Sequence, residues 1–196
     1  MTVVRVATVV EGQGEVAALP VLVRRIVAEI APEVWVESPR PYRAHRGSLT
    51  RAGGVETVVA AVVEQVGPGA GVLVVLDADD DCPAKLGPTL AERARSARPD
   101  ARVAAVLANR EFEAWFLAAA PSLAGHRGLA VDLARPADPE KPRDCKGWLT
   151  AHRTDGRPYK PTADQAALAA VLNLTMAREH SPSFDKLCRD LEQLLA

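Results

Sequence analysis

Apolar residues in this chain follow two rhythms. Residues 3–10, VVRVATVV, and 71–76, GVLVVL, are nearly unbroken runs of β-branched and aliphatic side chains, the pattern of strands buried on both faces. Residues 102–108, RVAAVLA, repeat that pattern, and 34–37 is a shorter version. Between the runs the period changes. In 15–30, Leu19, Leu22, Val23, Ile26, Val27 and Ile30 recur at helical spacing, and 55–66 do so again before Gly67-Pro68-Gly69 ends them. Residues 83–98 form a third helix charged on one side, and 109–119 open a fourth. Strand and helix alternate four times. This predicts an α/β fold, an open and mainly parallel sheet of about four strands flanked by helices.

The rhythm is lost over 121–161, which is rich in Pro, Gly and charge and reads as loops around one short helix at 145–152. Thr162-Ala163-Asp164-Gln165 has the form of a capping box before an apolar run to Leu172. Ser181-Pro182 starts a last helix over 183–195, with proline in its first turn. The expected organisation is a single domain over 1–196, with an α/β core at 1–120 and a loop-rich, helical C-terminal extension at 121–196.

Composition narrows the class without choosing a function. A 196-residue chain that is 48% hydrophobic and 25% charged is globular. Its net charge of −1 argues against a globally basic nucleic-acid binder, and 4% aromatics argue against a broad base-stacking surface. Cys82, Cys145 and Cys188 form no C-x-x-C pair, so neither a zinc knuckle nor a disulfide framework is indicated. No signal peptide and no apolar stretch of membrane-spanning length is evident, and the expected location is the cytoplasm, away from membranes.

Candidate chemistry collects where strands end. Asp77-Ala78-Asp79-Asp80-Asp81 follows GVLVVL directly. In an open parallel sheet ligands gather at the carboxyl ends of strands, and alternate acids there can converge on a hard cation such as Mg²⁺ or Mn²⁺. The competing reading is a solvated acidic turn, with Asp81 capping the next helix. An EF-hand loop does not fit, because its sixth and twelfth positions would be Cys82 and Pro88. A D-x-D nucleotide-sugar transferase remains open, although such enzymes usually need a longer chain.

VVEGQGEVA, residues 9–17, has two readings. As G-x-G-x-x-A after a strand, with Glu37 some way on, it is a dinucleotide-binding turn. As E-G-x-x-E it places Glu11 and Glu15 at a strand end, where they compete with a pyrophosphate for the same helix dipole. If the first strand neighbours the strand before DADDD, both acids face the same cation. Glu111 and Glu113 follow a third buried strand. Spaced by two on a regular helix they could not share one point, and each also reads as a helix-dipole carboxylate. Arg40, Arg43, Arg46 and Arg51 in one loop could grip phosphates or simply be solvated. Lys160, just before the capping box, is either a surface lysine or a group placed to steady a developing oxyanion.

In this order the motifs VEGQGE, VLDADDD, ANREFEAWFLA, YKPTADQ and SPSFDKL resemble a TOPRIM-like bacterial family of unknown function, domain-of-unknown-function family 4276. The first two also resemble the TOPRIM domain of topoisomerases, primases and OLD-type nucleases. The likeness implies a TOPRIM/Rossmann-like sheet and a phosphodiester hydrolase, a nuclease acting on DNA or RNA with two Mg²⁺ or Mn²⁺ ions. Glu11 would be metal ligand or general base, and Asp77 and Asp79 would hold the metal with Asp81 as the third acid. Glu15 and Glu111 or Glu113 would serve a second ion, and Lys160 would match the late basic residue of OLD-type enzymes. No P-loop motif occurs, so the likeness also implies a separate ATPase partner, in a phage-defence setting. A catalytically silent binding subunit is the alternative.

Overall fold

The long apolar runs are strands in the computed structural model, which describes residues 2–196. β1 (Thr2–Val10), β2 (Val34–Glu37), β3 (Tyr42–Arg43), β4 (Gly71–Asp77) and β5 (Arg102–Ala108) pair in parallel in the order β2-β1-β4-β5, with β3 also on β1. The four expected strands are joined by a fifth, β3, in a segment that reads as polar loop. β2 accompanies the first half of β1 and β3 its last two residues. Pro39 and Pro41 separate them, and neither has the amide N–H that a continuous ladder needs. β1 is therefore interior, with Val6, Ala7, Thr8 and Val9 aligned to Gly71, Val72, Leu73 and Val74 of β4.

α1 (Glu15–Ile30) returns β1 to β2. α2 (Arg46–Thr50) and α3 (Gly54–Val66) precede β4, and α4 (Pro83–Ala97) leads into β5. The chain first steps to one side of β1 and then to the other. Right-handed crossovers must then put α1 on one face of the sheet and α3 and α4 on the opposite face. The two apolar cores show this arrangement. Leu19, Leu22 and Ile26 of α1 cluster with Leu73 and Val75, whereas Val59 and Val63 of α3 and Leu90 of α4 cluster with Val72, Val74 and Leu76. Successive β4 side chains alternate between the two cores, which is why GVLVVL shows no polar position.

The rest of the chain, α5 (Ala114–Ala118), α6 (Cys145–Ala151), α7 (Ala166–Val171), α8 (Leu174–His180) and α9 (Pro182–Leu195), shares the α1-side core. α9 begins as its sequence indicates, with Ser181 Oγ accepting from the Phe184 amide at 3.0 Å. The start of α7 differs. A π-helical turn, Pro161–Gln165, replaces the expected capping box: Lys160 stands at the cap with its amide donating to Asp164 Oδ2 at 2.9 Å, and the Gln165 side chain turns inward to Glu113. α8 lies in a stretch with no evident pattern and is capped by Asn173, which accepts from the Met176 amide at 2.8 Å. Among the described residues no helix is long and apolar enough to cross a membrane.

REFEAWF, the most distinctive of the quoted motifs, is largely an anchor. Phe112 and Trp115 lie 4.7 Å apart between ring centroids, and Phe184 of α9 meets Trp115 edge-on at 5.6 Å. The Trp115 indole donates to Ser183 Oγ at 2.8 Å, so its one polar atom is satisfied inside the core. Trp115→Ala should cost about 3–5 kcal/mol of unfolding free energy, measured by urea denaturation, because this joint ties α5 and α9 together.

Candidate functional site

The reversal of strand order opens a crevice beyond the carboxyl ends of the parallel strands β1 and β4, the place where open α/β sheets receive ligands. Glu11 is the first residue beyond β1, and Asp77 is the last of β4. Glu15 opens α1, and Glu111 and Glu113 follow β5. A cavity of about 340 Å³ is bounded by Glu11, Glu15, Asp77, Glu113, Lys146 and Gln165. The turn between β1 and α1 is tight against its far wall. A Cβ on Gly14 would stand 2.7 Å from Pro161 Cβ and overlap the Gln165 side-chain oxygen. Gly12 has a similar function, since a Cβ there would lie 2.8 Å from Glu15 Oε1.

Glu15 is buried and folds back on its own turn, where its Oε2 accepts from the amides of Glu11 and Gly12, both at 3.2 Å. Those amides are the ones a pyrophosphate would need in the dinucleotide reading, and Glu37 is engaged by Arg5 at 2.8 Å. Asp77 Oδ1 accepts from the Phe112 amide at 2.7 Å, which fixes the loop after β5 against β4. Glu113 is fully buried, with Oε1 accepting from Tyr159 Oη at 3.0 Å and from Gln165 Nε2 at 3.2 Å. Glu11 Oε2 and Gln165 Oε1 are buried with no hydrogen-bond partner.

Lys146, in the first turn of α6, sits among these acids. Its Nζ lies 3.1 Å from Glu113 Oε2, 3.3 Å from Glu111 Oε1 and 3.9 Å from Asp77 Oδ2. Glu111 and Glu113 share this point after all. They stand in the turn before α5, not on a regular helix, and Arg110 in a left-handed conformation redirects the chain between β5 and that turn. Glu111 Oε2 also accepts from the amides of Cys145 and Lys146, at 3.1 and 3.3 Å, and so holds the start of α6 in place.

Crowded, buried carboxylates resist ionisation. Desolvation, with repulsion from Glu15 next, pushes Asp77 up to about 8, against the attraction of Lys146. Burial likewise raises Glu15 to about 7 despite its two amide donors, with Glu113 and Glu11 adding repulsion. Glu113 is raised by burial and partly restrained by Lys146, and Glu11 is raised by burial and by Asp79. Burial pulls the Lys146 pKa down, but Glu113, Asp77 and Glu111 together outweigh it and raise it above its ordinary value, so the ammonium stays protonated.

The remaining residues of DADDD turn away from the cavity. Asp79 has a positive φ of 50° and faces Arg46 Nε at 3.5 Å. Asp81 pairs with Arg46 Nη2. Asp80 is held by Arg110 at 2.8 Å and Arg143 at 2.7 Å. Arg46, read as a phosphate contact, also donates to the carbonyls of Asp77 and Ala78 and thus braces the acidic turn. Arg40, Arg43 and Arg51 are exposed. Lys160 borders a neighbouring cavity of about 260 Å³ with Arg127, Arg153 and Arg157, on the far side of the Pro161–Gln165 turn from the acids. Lys146 has no motif to mark it, and although Tyr159 and Gln165 lie in YKPTADQ, nothing in that stretch points them at Glu113; each acquires its role only through folding.

Glu11, Glu15, Asp77, Glu113 and Gln165 bring oxygen donors to the cavity wall, and two of those oxygens are orphaned, which fits a hard divalent cation in chemistry. In arrangement the fit is incomplete. Among the described residues no three carboxylates already stand as an ion-holding group, and the point best surrounded by acids carries the Lys146 ammonium.

A family model described as Domain of unknown function (DUF4276) matches residues 10–192. No curated protein and no solved structure matches the chain.

The raised carboxylates make a stability prediction. The folded chain keeps protons on Glu15 and Asp77 up to about pH 7 and 8, whereas the unfolded chain releases them near 4.5 and 3.8. Unfolding therefore releases protons within that window, and stability is greatest at its acid end and falls as pH rises. Thermal melts in a chelating buffer should give a melting temperature several degrees higher at pH 5 than at pH 8. Asp77→Asn should flatten the difference.

Proposed function

The chain belongs to the DUF4276 family, and from the geometry of its own site we propose that it is a divalent-cation-dependent phosphodiester hydrolase of TOPRIM type, acting on nucleic acid. One observation carries the reading: Glu11 and Asp77 end adjacent parallel strands at the point where strand order reverses, and Glu15 and Glu113 line the same cavity. Buried acids in such numbers are costly unless positive charge joins them, and a site that stores this cost is a candidate for function.

Glu11, Glu15 and Asp77 are the carboxylates that would hold the cation, because Glu113 and Glu111 are engaged by Lys146. A bound Mg²⁺ or Mn²⁺ supplies Lewis-acid activation of water and neutralises charge on the leaving oxygen. The chain's own groups do the rest. In the ion-free site Glu15 and Asp77 hold protons near neutral pH, and binding the cation would release them. Asp79 lies beside Glu11 at the rim, where Arg46 orients it. Arg40, Arg43 and Arg51 are exposed in the segment between β2 and α3 that also carries Arg46, and Arg157 and Lys160 border the adjacent cavity. These give a polyanion contacts outside the acid pocket, so that Lys160 serves substrate binding instead of the reacting centre. A separate ATPase acting alongside this chain, in phage defence, belongs to the same reading.

A second reading has one observation in its favour. The ammonium of Lys146 already neutralises part of the acid cluster, as a chain that binds without catalysis would require. Calorimetry separates the two, since a silent subunit needs no carboxylate-dependent Mg²⁺ or Mn²⁺ site.

Asp77→Asn keeps the acceptor for the Phe112 amide and removes one repelling charge. It should leave the melting temperature at pH 8 unchanged or higher while lowering Mn²⁺-dependent cleavage by more than about 100-fold, beyond what loss of a group behind a metal ligand costs. Absence of cleavage of single- or double-stranded DNA or RNA by the wild-type chain in Mg²⁺ or Mn²⁺, with and without an ATPase partner, would refute the hydrolase reading.

A further inference from the structure

The acids form two groups that share Asp77. In one, Asp77, Glu111 and Glu113 surround Lys146 Nζ at 3.9, 3.3 and 3.1 Å. In the other, Glu11, Glu15 and Asp77 face the cavity, and among the described residues no ammonium or guanidinium stands within ion-pair distance of Glu11 or Glu15. The backbone amide of Arg46 favours the ionised Glu11 locally, while the side-chain charges of Arg46 and His45 act on it at longer range. The second group also holds the orphaned Glu11 Oε2, and the fully buried Gln165 presents an unpartnered Oε1 at the cavity wall beside Gly14.

Two-ion phosphodiester hydrolases place their ions about 3.5–4 Å apart, bridged by a shared ligand. Here the shared carboxylate is present, and one of the two positions is filled by a side chain. We propose that Lys146 is a built-in substitute for one ion, so that the site takes a single divalent cation, held by Glu11, Glu15 and Asp77. This rests on the hydrolase reading for the cation itself and adds its number and place. The ammonium withholds Glu111 and Glu113 from coordination and repels a second ion beside it. Its position is fixed by the fold. Asp144 Oδ1 caps α6 by accepting from the Gly147 amide at 2.7 Å, and Glu111 accepts the first amides of the same helix while facing the ammonium. Lys146 is thus a positioning residue that sets charge and stoichiometry without touching substrate.

The test is the number of Mn²⁺ ions bound per full-length chain, read by calorimetry and by electron paramagnetic resonance of free Mn²⁺. The wild type and Lys146→Arg should each bind one ion. Lys146→Met should bind two, the second in the place the ammonium has left. Should Lys146→Met lose its fold in chelating buffer, recovery of its circular dichroism in Mn²⁺ with two ions bound supports the proposal equally. If that variant stays unfolded in Mn²⁺, or binds only one ion when folded, the proposal is overturned. Two ions in the wild type overturn it while leaving the hydrolase reading intact. No ion in the wild type removes both.

Discussion

Negative charge brought to one place by the sheet is the constraint around which this molecule is arranged. Glu11, Glu15, Asp77, Glu111 and Glu113 arrive from the ends of three neighbouring strands, with Glu15 and Glu113 buried and the other three partly so, which withdraws much of the water that would screen them. Every nearby structural choice answers that load. Glu15 turns back onto two amides, Glu111 onto two more, and Glu113 is enclosed by a tyrosine, a glutamine and an ammonium. What remains unanswered is the Glu11–Glu15–Asp77 side. That imbalance is what makes the pocket chemically poised, and not merely acidic.

Much of this was legible in the residues because period and strand ends are local signals. β1, β4 and β5, the helix from Glu15 to Ile30 and the cap at Ser181 are all written within windows of a few residues. The placement of Glu11 beside Asp77 depended on β1 and β4 being neighbours, which no window contains, and the register of Val6 to Val9 on Gly71 to Val74 makes them so. Glu111 and Glu113 show where local reasoning stops. Helical geometry forbids them a common target, but a left-handed Arg110 and a late helix start remove the premise. Lys146 had no signal to offer, and the motif that contains Tyr159 and Gln165 does not say what they face, because a lysine, tyrosine or glutamine in a polar stretch looks the same whether it is solvated or buried against an acid. The Gln165 case goes further, since its helix-cap pattern is present and goes unused: the turn starts two residues earlier at Lys160, and the glutamine points inward to a buried carboxylate.

The run of aspartates after β4 separates by geometry, not by chemistry. Asp77 points inward because it still belongs to the strand, whose last pairing is with Ala108. Asp79 departs from the extended conformation, and from there outward the acids meet arginines from three different segments, Arg46, Arg110 and Arg143. These exposed pairs contribute little to stability singly. Their effect is on shape: they pin the turn so that only one of its carboxylates enters the cavity.

The interrupted edge formed by β2 and β3 has a consequence of a different kind. A long, flat outer strand invites another chain to add itself along its unpaired amides and carbonyls. Here Pro39 and Pro41 remove two of those donors, and the two short segments on either side offer no continuous row. The same interruption releases the loop that carries Arg40 and Arg43 and brings Arg46 to the acidic turn. A single device therefore breaks the row of pairing groups at this edge of the sheet and delivers a guanidinium to the rim of an anionic pocket, so that edge protection and electrostatic tuning are inherited together.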